Sequence, residues 1–232
     1  SDGIVNVYLI KTDSDGNEEW NQTFGGNSND LGRSVQQTSD GGYVLIGYTS
    51  SFGEGKTDVW LVKTDSVGNQ LWEQSFDCYG ENTEQSEFAR SVQQTDDGGY
   101  IIVGSTFNGT DMDVLVIKFD TNLDTLWTKT IGGVVGYNDY GNSIEIMAGN
   151  SGYLVCGTSY DGTNSDFDAR LWTISIDGQT VTSKYTGDIS NASHDYGNYA
   201  QQTSDGGYIM ITTNMTIATS TQTTNVIKLV EA

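Results

Sequence analysis

Ser91-Val92-Gln93-Gln94-Thr95-Asp96-Asp97-Gly98-Gly99-Tyr100-Ile101-Ile102-Val103-Gly104 is a strand, a tight turn and a second strand. Asp bonds nearby backbone N–H groups and Gly adopts positive φ without steric cost, so Asp-Asp-Gly-Gly closes a short hairpin. The stretch recurs at residues 34–47 and 199–211, and more loosely at 143–157. The tyrosines after the turn, Tyr43, Tyr100, Tyr153 and Tyr208, lie 57, 53 and 55 residues apart. Trp20, Trp72 and Trp127 lie 52 and 55 apart. Two independent markers with one period define an internal repeat.

Outward from the hairpin, one period holds four strand signals. Type A is the Ser-Val-Gln-Gln-Thr segment. Type B is apolar at consecutive positions (Tyr43-Val44-Leu45-Ile46), which predicts burial on both faces. Type C follows a polar loop: Val59-Trp60-Leu61-Val62-Lys63, Val114-Leu115-Val116-Ile117-Lys118 and Leu171-Trp172-Thr173-Ile174. Trp60 and Trp172 are expected in the core between repeats rather than on a sugar platform. Type D alternates, with Trp72 and Phe76 on one face and Glu73 and Ser75 opposite, as a half-buried outer strand does. Types A, B and D occur four times and type C five. The chain opens on C (residues 7–11) and D (19–24) and closes on A, B and C (226–230).

Four antiparallel strands repeated near 55 residues predict an all-β chain with one propeller blade per repeat. The expected architecture is a four-bladed β-propeller occupying residues 1–232 as one domain. Its repeats fall at about 30–76, 87–131, 139–187 and 195–232, plus 5–24. The N- and C-terminal strands share the closing blade, residues 19–24 supplying its outer strand. The alternative is an arc of a larger propeller. One C strand is then surplus, and residues 5–11, with Val5, Val7, Leu9 and Lys11, are the candidate assembly strand. It caps its own blade edge, fills the slot of residues 226–230, or pairs with another copy.

At Asp58–Trp72 and Ser91–Gly104 the pattern resembles bacterial and archaeal extracellular repeats of the form D-V-W-L-V-K-T-D…S-V-Q-Q-T-x-D-G-G-Y. Its strand order is similar to that of WD-repeat and quinoprotein blades. The resemblance implies an extracellular or cell-surface protein.

Composition bounds the partners. The net charge is −21, from 31 acids against 10 bases, which repels nucleic acid and anionic lipid. No apolar run is long enough for a membrane span, and no signal peptide is visible; a first residue of Ser1 fits a processed or excised chain. Four sequons begin at Asn21, Asn108, Asn191 and Asn214, candidate glycosylation sites of an extracellular glycoprotein. Cys156 takes an apolar place in a B strand and is expected as a buried thiol, unpaired with Cys78.

Little suggests chemistry. The single histidine, His194, reads as a polar loop residue rather than part of a triad. No cofactor is implied. Calcium is the one cation the oxygen-rich chain suits, and two acidic sets are metal candidates. Asp13 and Asp15 lie in a C–D turn. Asp30, Glu87, Asp139 and Asp195 recur before strand A, where they would ring one mouth of the axial channel or cap the strand and pair with Arg33 and Arg90. The expected function is that of a non-enzymatic structural or interaction protein at a cell surface, self-assembling or presenting loops, as a filament or surface-layer subunit. Its partners would be further copies, another surface protein or a glycan. The alternative is a glycan- or protein-binding module at a ring mouth.

Overall fold

The computed structural model describes residues 3–53, 57–76, 88–161, 166–185, 193–216 and 221–229. They form seventeen strands in five antiparallel sheets, with a single 3₁₀ turn at Ala148–Asn150. The first sheet pairs β1 (Val7–Thr12) with β2 (Glu18–Phe24). The second runs β3 (Asp30–Gln37), β4 (Tyr43–Thr49), β5 (Asp58–Thr64), β6 (Gln70–Phe76). The third runs β7 (Phe88–Gln94), β8 (Tyr100–Phe107), β9 (Met112–Phe119), β10 (Thr125–Ile131). The fourth runs β11 (Tyr140–Ile146), β12 (Tyr153–Asp161), β13 (Asp166–Ile174), β14 (Val181–Tyr185). The fifth has three strands, β15 (Ser193–Gln202), β16 (Tyr208–Thr216) and β17 (Thr221–Leu229). Contacts gather the chain into two compact units, Ser1–Gln94 and Thr95–Ala232, divided in the turn between β7 and β8.

The A-to-D order is therefore found sheet by sheet, but in five sheets rather than four. The outer strand expected to pass from residues 19–24 to the last sheet stays with β1. The reason is local. The Asp13–Asn17 turn closes a short loop at small entropic cost. Its hairpin places Lys11 opposite Trp20, as Lys63 stands opposite Trp72 and Lys118 opposite Trp127. Among the described residues no strand pairing joins the first sheet to the last.

Each unit has its own core. In the first, Val7 and Phe24 of the first sheet pack on Leu45, Trp60 and Val62 of the second. In the second, Ile101, Val103, Val114 and Val116 of the third sheet pack on Ile144, Tyr153, Val155, Trp172 and Ile174 of the fourth. Leu154, Cys156, Ala169 and Leu171 then meet Ala200, Tyr208 and Met210 of the fifth. The tryptophans Trp60 and Trp172 are core residues, as their strands require. The Cys156 thiol is buried, which pushes its pKa up to about 12.

The Asp-Gly-Gly turn has a second role. Buried Lys63 donates to Asp40 at 2.9 Å, and buried Lys118 to Asp97 at 2.9 Å. Each turn thereby anchors the C strand of its own sheet. In the fourth sheet Thr173 takes the lysine's place, and its turn, Ala148–Ser151, carries no acid. Both partners are exchanged together, so no buried ammonium is stranded.

Candidate functional site

In the second, fourth and fifth sheets the loop entering the A strand lies beside the loop leaving the B strand. The recurring aspartates stand there, and the structure makes them locks. Asp30 accepts from the hydroxyl of Thr49, from Ser51 Oγ at 2.7 Å and from Gly26 N–H at 2.8 Å. Asp139 accepts from Gly133 N–H at 2.6 Å, Tyr160 N–H at 3.2 Å and the Ser159 hydroxyl. Asp195 accepts from Asn214 Nδ2 at 2.8 Å. All three are buried. In each case the donor is the second residue after the B-strand position that faces the A-strand glycine: Thr49, Ser159 or Asn214. Burial holds the Asp139 carboxyl above its usual range, and neighbouring Asp113 adds to this.

The residue before each aspartate completes a backbone clamp. Asn29 Oδ1 accepts Val5 N–H at 3.0 Å, while Asp30 N–H donates to the Val5 carbonyl at 2.7 Å. Asn138 and Asp139 grip Met112 in the same way, at 2.9 and 2.6 Å. His194 takes the asparagine's place: its Nδ1 accepts Phe167 N–H at 3.1 Å. The expectation of a polar loop histidine is corrected by this contact. The residue lies in β15 and serves as a backbone acceptor, a role that imidazole fills with its unprotonated nitrogen.

The other candidates fall as follows. Asp13 is filled by Asp15 N–H, Asn17 N–H and Asn17 Nδ2, an exposed turn in which Asp15 contributes only backbone. Among the described residues no group of three His, Cys, Asp or Glu side chains is placed to hold a metal. Asn21 is exposed in β2; Asn108 is exposed, with Nδ2 held by Asp111 and Asp113; Asn214 is half-buried, with Nδ2 on Asp195. Glu87, Asn191 and Cys78 lie outside the described residues.

Above the locks of the second unit runs an aromatic ridge. Tyr137 and Tyr160 stack face to face, centroids 3.6 Å apart and rings 1° from parallel. Tyr160 meets Phe167 edge-on at 5.4 Å, and Phe167 meets His194 at 5.5 Å and Tyr196 at 6.2 Å. Exposed Val134 and Val135 precede Tyr137 in the same loop. Asp111 fixes that loop by accepting the N–H groups of Gly136 and Tyr137, the latter at 3.1 Å. Asp166 and Asp168, fully buried, flank Phe167 on β13, and Arg170 Nη2 lies 4.0 Å from Asp168. Partly exposed rings beside carboxylates and amides suit a ligand with flat C–H faces and a rim of hydroxyls.

Sequence reasoning missed this ridge. Its signal is a substitution between repeats: Tyr137 and Tyr160 stand where the first repeat has Ser28 and Ser50. Loop residues that do not recur are invisible to a search for period.

No protein-family model and no curated protein matches the chain. Solved structures do. The endo-arabinase from Bacteroides thetaiotaomicron VPI-5482 is similar with a TM-score of 0.51 and 11% identity, over 85% of this chain and 74% of that one. A thermostable family-43 glycoside hydrolase is similar with a TM-score of 0.55 and 10% identity, over 89% and 73%. Both are β-propellers, and the chain shares their fold. These likenesses overturn the expectation of a structural, self-assembling module without enzymatic activity.

Proposed function

We propose that this chain is an extracellular, glycan-directed β-propeller module whose sheets serve as blades, three of four strands and two partial. Its ligand-binding surface is the ridge of Tyr137, Tyr160, Phe167 and Tyr196. The observation that carries this is the stacked Tyr137–Tyr160 pair at a loop end, bordered by Asn138 and by anchored carboxylates. A sugar ring lays its C–H face on such a platform and its hydroxyls on the polar border. The charge of −21 disfavours uronate-rich chains and favours neutral ones. The endo-arabinase likeness makes neutral arabinan oligosaccharides the first probe.

Titration calorimetry against a panel of neutral and acidic oligosaccharides tests the reading. Saturable binding of a neutral chain is expected, weakened about tenfold by Tyr137→Ala or Tyr160→Ala, the loss of about 1.4 kcal/mol of stacking. A blank panel, or binding indifferent to both substitutions, removes the site.

Hydrolysis of the bound chain is a second reading. It is favoured by the Asp139 carboxyl, which burial holds above its usual range, with a second carboxylate, Asp113, nearby, since glycoside hydrolysis uses two carboxyl groups. Reducing-end release that vanishes in Asp113→Asn while binding persists supports it. Binding without release leaves recognition alone.

A further inference from the structure

The third and fourth sheets, both of four strands, enclose a cavity of about 260 Å³ beside their turns. Tyr153, the first residue of β12, is fully buried against it, its ring 5.9 Å from that of Trp127. Among the described residues its hydroxyl meets neither donor nor acceptor. Tyr43, the equivalent in the second sheet, is only half-buried. A buried hydroxyl without a partner is costly, and one kept beside a void marks a place where a partner arrives. Burial and the nearby Asp97 push the Tyr153 pKa up to about 12, so the phenol is neutral and its oxygen accepts as well as donates.

The lining says what that partner is. Lys118 has no proton left for an anion: its ammonium donates to Asp97 Oδ1 and Oδ2 at 3.1 and 2.9 Å and to the Phe119 carbonyl at 2.9 Å. Acceptors remain. The Asp97 side chain is 57% exposed, and among the described residues its Oδ2 takes only the Lys118 contact. Asp177 is exposed; its Oδ1 accepts from Ser175 Oγ and Gln179 N–H, and no described donor reaches its Oδ2. The charged lining is thus two carboxylates against one ammonium, in a molecule of net charge −21. Leu126, Trp127 and Ile176 supply an apolar wall, with Leu126 and Ile176 exposed along it.

We propose that this cavity binds a primary alkylammonium group. The ammonium donates to the Tyr153 oxygen in the field of Asp97 and Asp177. The methylene stem runs along Leu126, Trp127 and Ile176, where the indole adds cation–π attraction. A free alkylamine and a lysine side chain of another protein carry the same chemistry. Tyr153 and Tyr160 stand near opposite ends of β12, about 23 Å apart at the rise of a strand, so the site is separate from the aromatic ridge and independent of the glycan reading.

Titration calorimetry on the whole chain tests this, with the Trp127 indole N–H resonance, identified by its loss in Trp127→Phe, as the local reporter. Sodium chloride at about 150 mM screens diffuse attraction to the acidic surface. The probes are pentylamine, for a free amine, and Nα-acetyl-lysine methylamide, for a lysine side chain; 1-pentanol and pentanoate are the controls. Saturable one-to-one binding of an amine is expected, at least about tenfold tighter than either control, and weakened about tenfold by Asp177→Asn and by Tyr153→Phe. The tighter of the two amines identifies the source. Because Tyr153→Phe removes only a hydroxyl without a partner, the free variant should melt no lower than wild type. Pentanol binding as tightly as the amines, a preference for pentanoate, no saturable binding, amine binding indifferent to both substitutions, or a lower melting temperature for Tyr153→Phe would overturn the proposal.

Discussion

At the scale of the residue, the most exacting contacts hold a charge. Lys63 is buried, and beyond Asp40 its ammonium is offered only the carbonyl of Thr64, at 2.9 Å. Asp40→Ala should destabilise the protein by about 2 kcal/mol, read by urea denaturation, because a buried cation loses its partner while little apolar area changes. The effect of acid follows. The Thr38 hydroxyl, Lys63 and Gly42 N–H hold the Asp40 carboxyl down at about 2. A depressed carboxyl contributes stability above its ordinary range, and that share is lost as pH falls from about 4 towards 2. Wild type should therefore lose stability there more steeply than Asp40→Asn, as thermal melts across that window will show. His194 allows a complementary exchange. His194→Asn restores the acceptor used by Asn29 and Asn138 and should be near neutral, whereas His194→Ala should cost about 1 kcal/mol by leaving Phe167 N–H unpaired.

At the scale of the element, the glycine that ends the B-strand motif lets the second and fourth sheets close tightly around a bulge, where the fifth sheet carries Thr212. Strand β3 changes register between Gly32 and Ser34, and β11 does so between Gly141 and Ser143. Such a bulge brings backbone against the opposite strand. A Cβ on Gly47 would run into the Leu31 carbonyl oxygen, and one on Gly157 into that of Tyr140. Gly47→Ala should therefore cost about 2–3 kcal/mol, far above the change expected from propensity, measured as a shift in denaturation midpoint. The four strand types were legible because each carries its own burial pattern: B wholly buried, C ending in lysine, D alternating. What was not legible was which sheet each terminal strand would join. Residues 7–11 and 226–230 carry the same pattern, and the pattern does not say that a five-residue turn binds β2 to β1. The ridge escaped for a different reason, since Tyr137 comes from the loop before β11 and reaches Tyr160 and Phe167, partners at the far ends of β12 and β13, only in space.

At the scale of the whole molecule, the excess of 21 negative charges over 232 residues works against compaction. Salt screens that repulsion, so the melting temperature should rise between 10 and 150 mM sodium chloride, in contrast to a protein held by surface ion pairs. A fall over that range would mean that the pairs at Lys63 and Lys118 outweigh the general field. The clamp formed by Asn29 and Asp30, and again by Asn138 and Asp139, has a wider consequence. It grips the N–H and carbonyl of one residue at or just before a C strand and makes no use of its side chain, and the gripped residues are Val5 and Met112. His194 holds the equivalent N–H of Phe167. A joint that recognises only main chain places no demand on the identity of its neighbour. A gene encoding such repeats can gain, lose or exchange one by recombination and still produce units that fit, leaving the residues at the joint free to drift into new recognition surfaces, as Phe167 has.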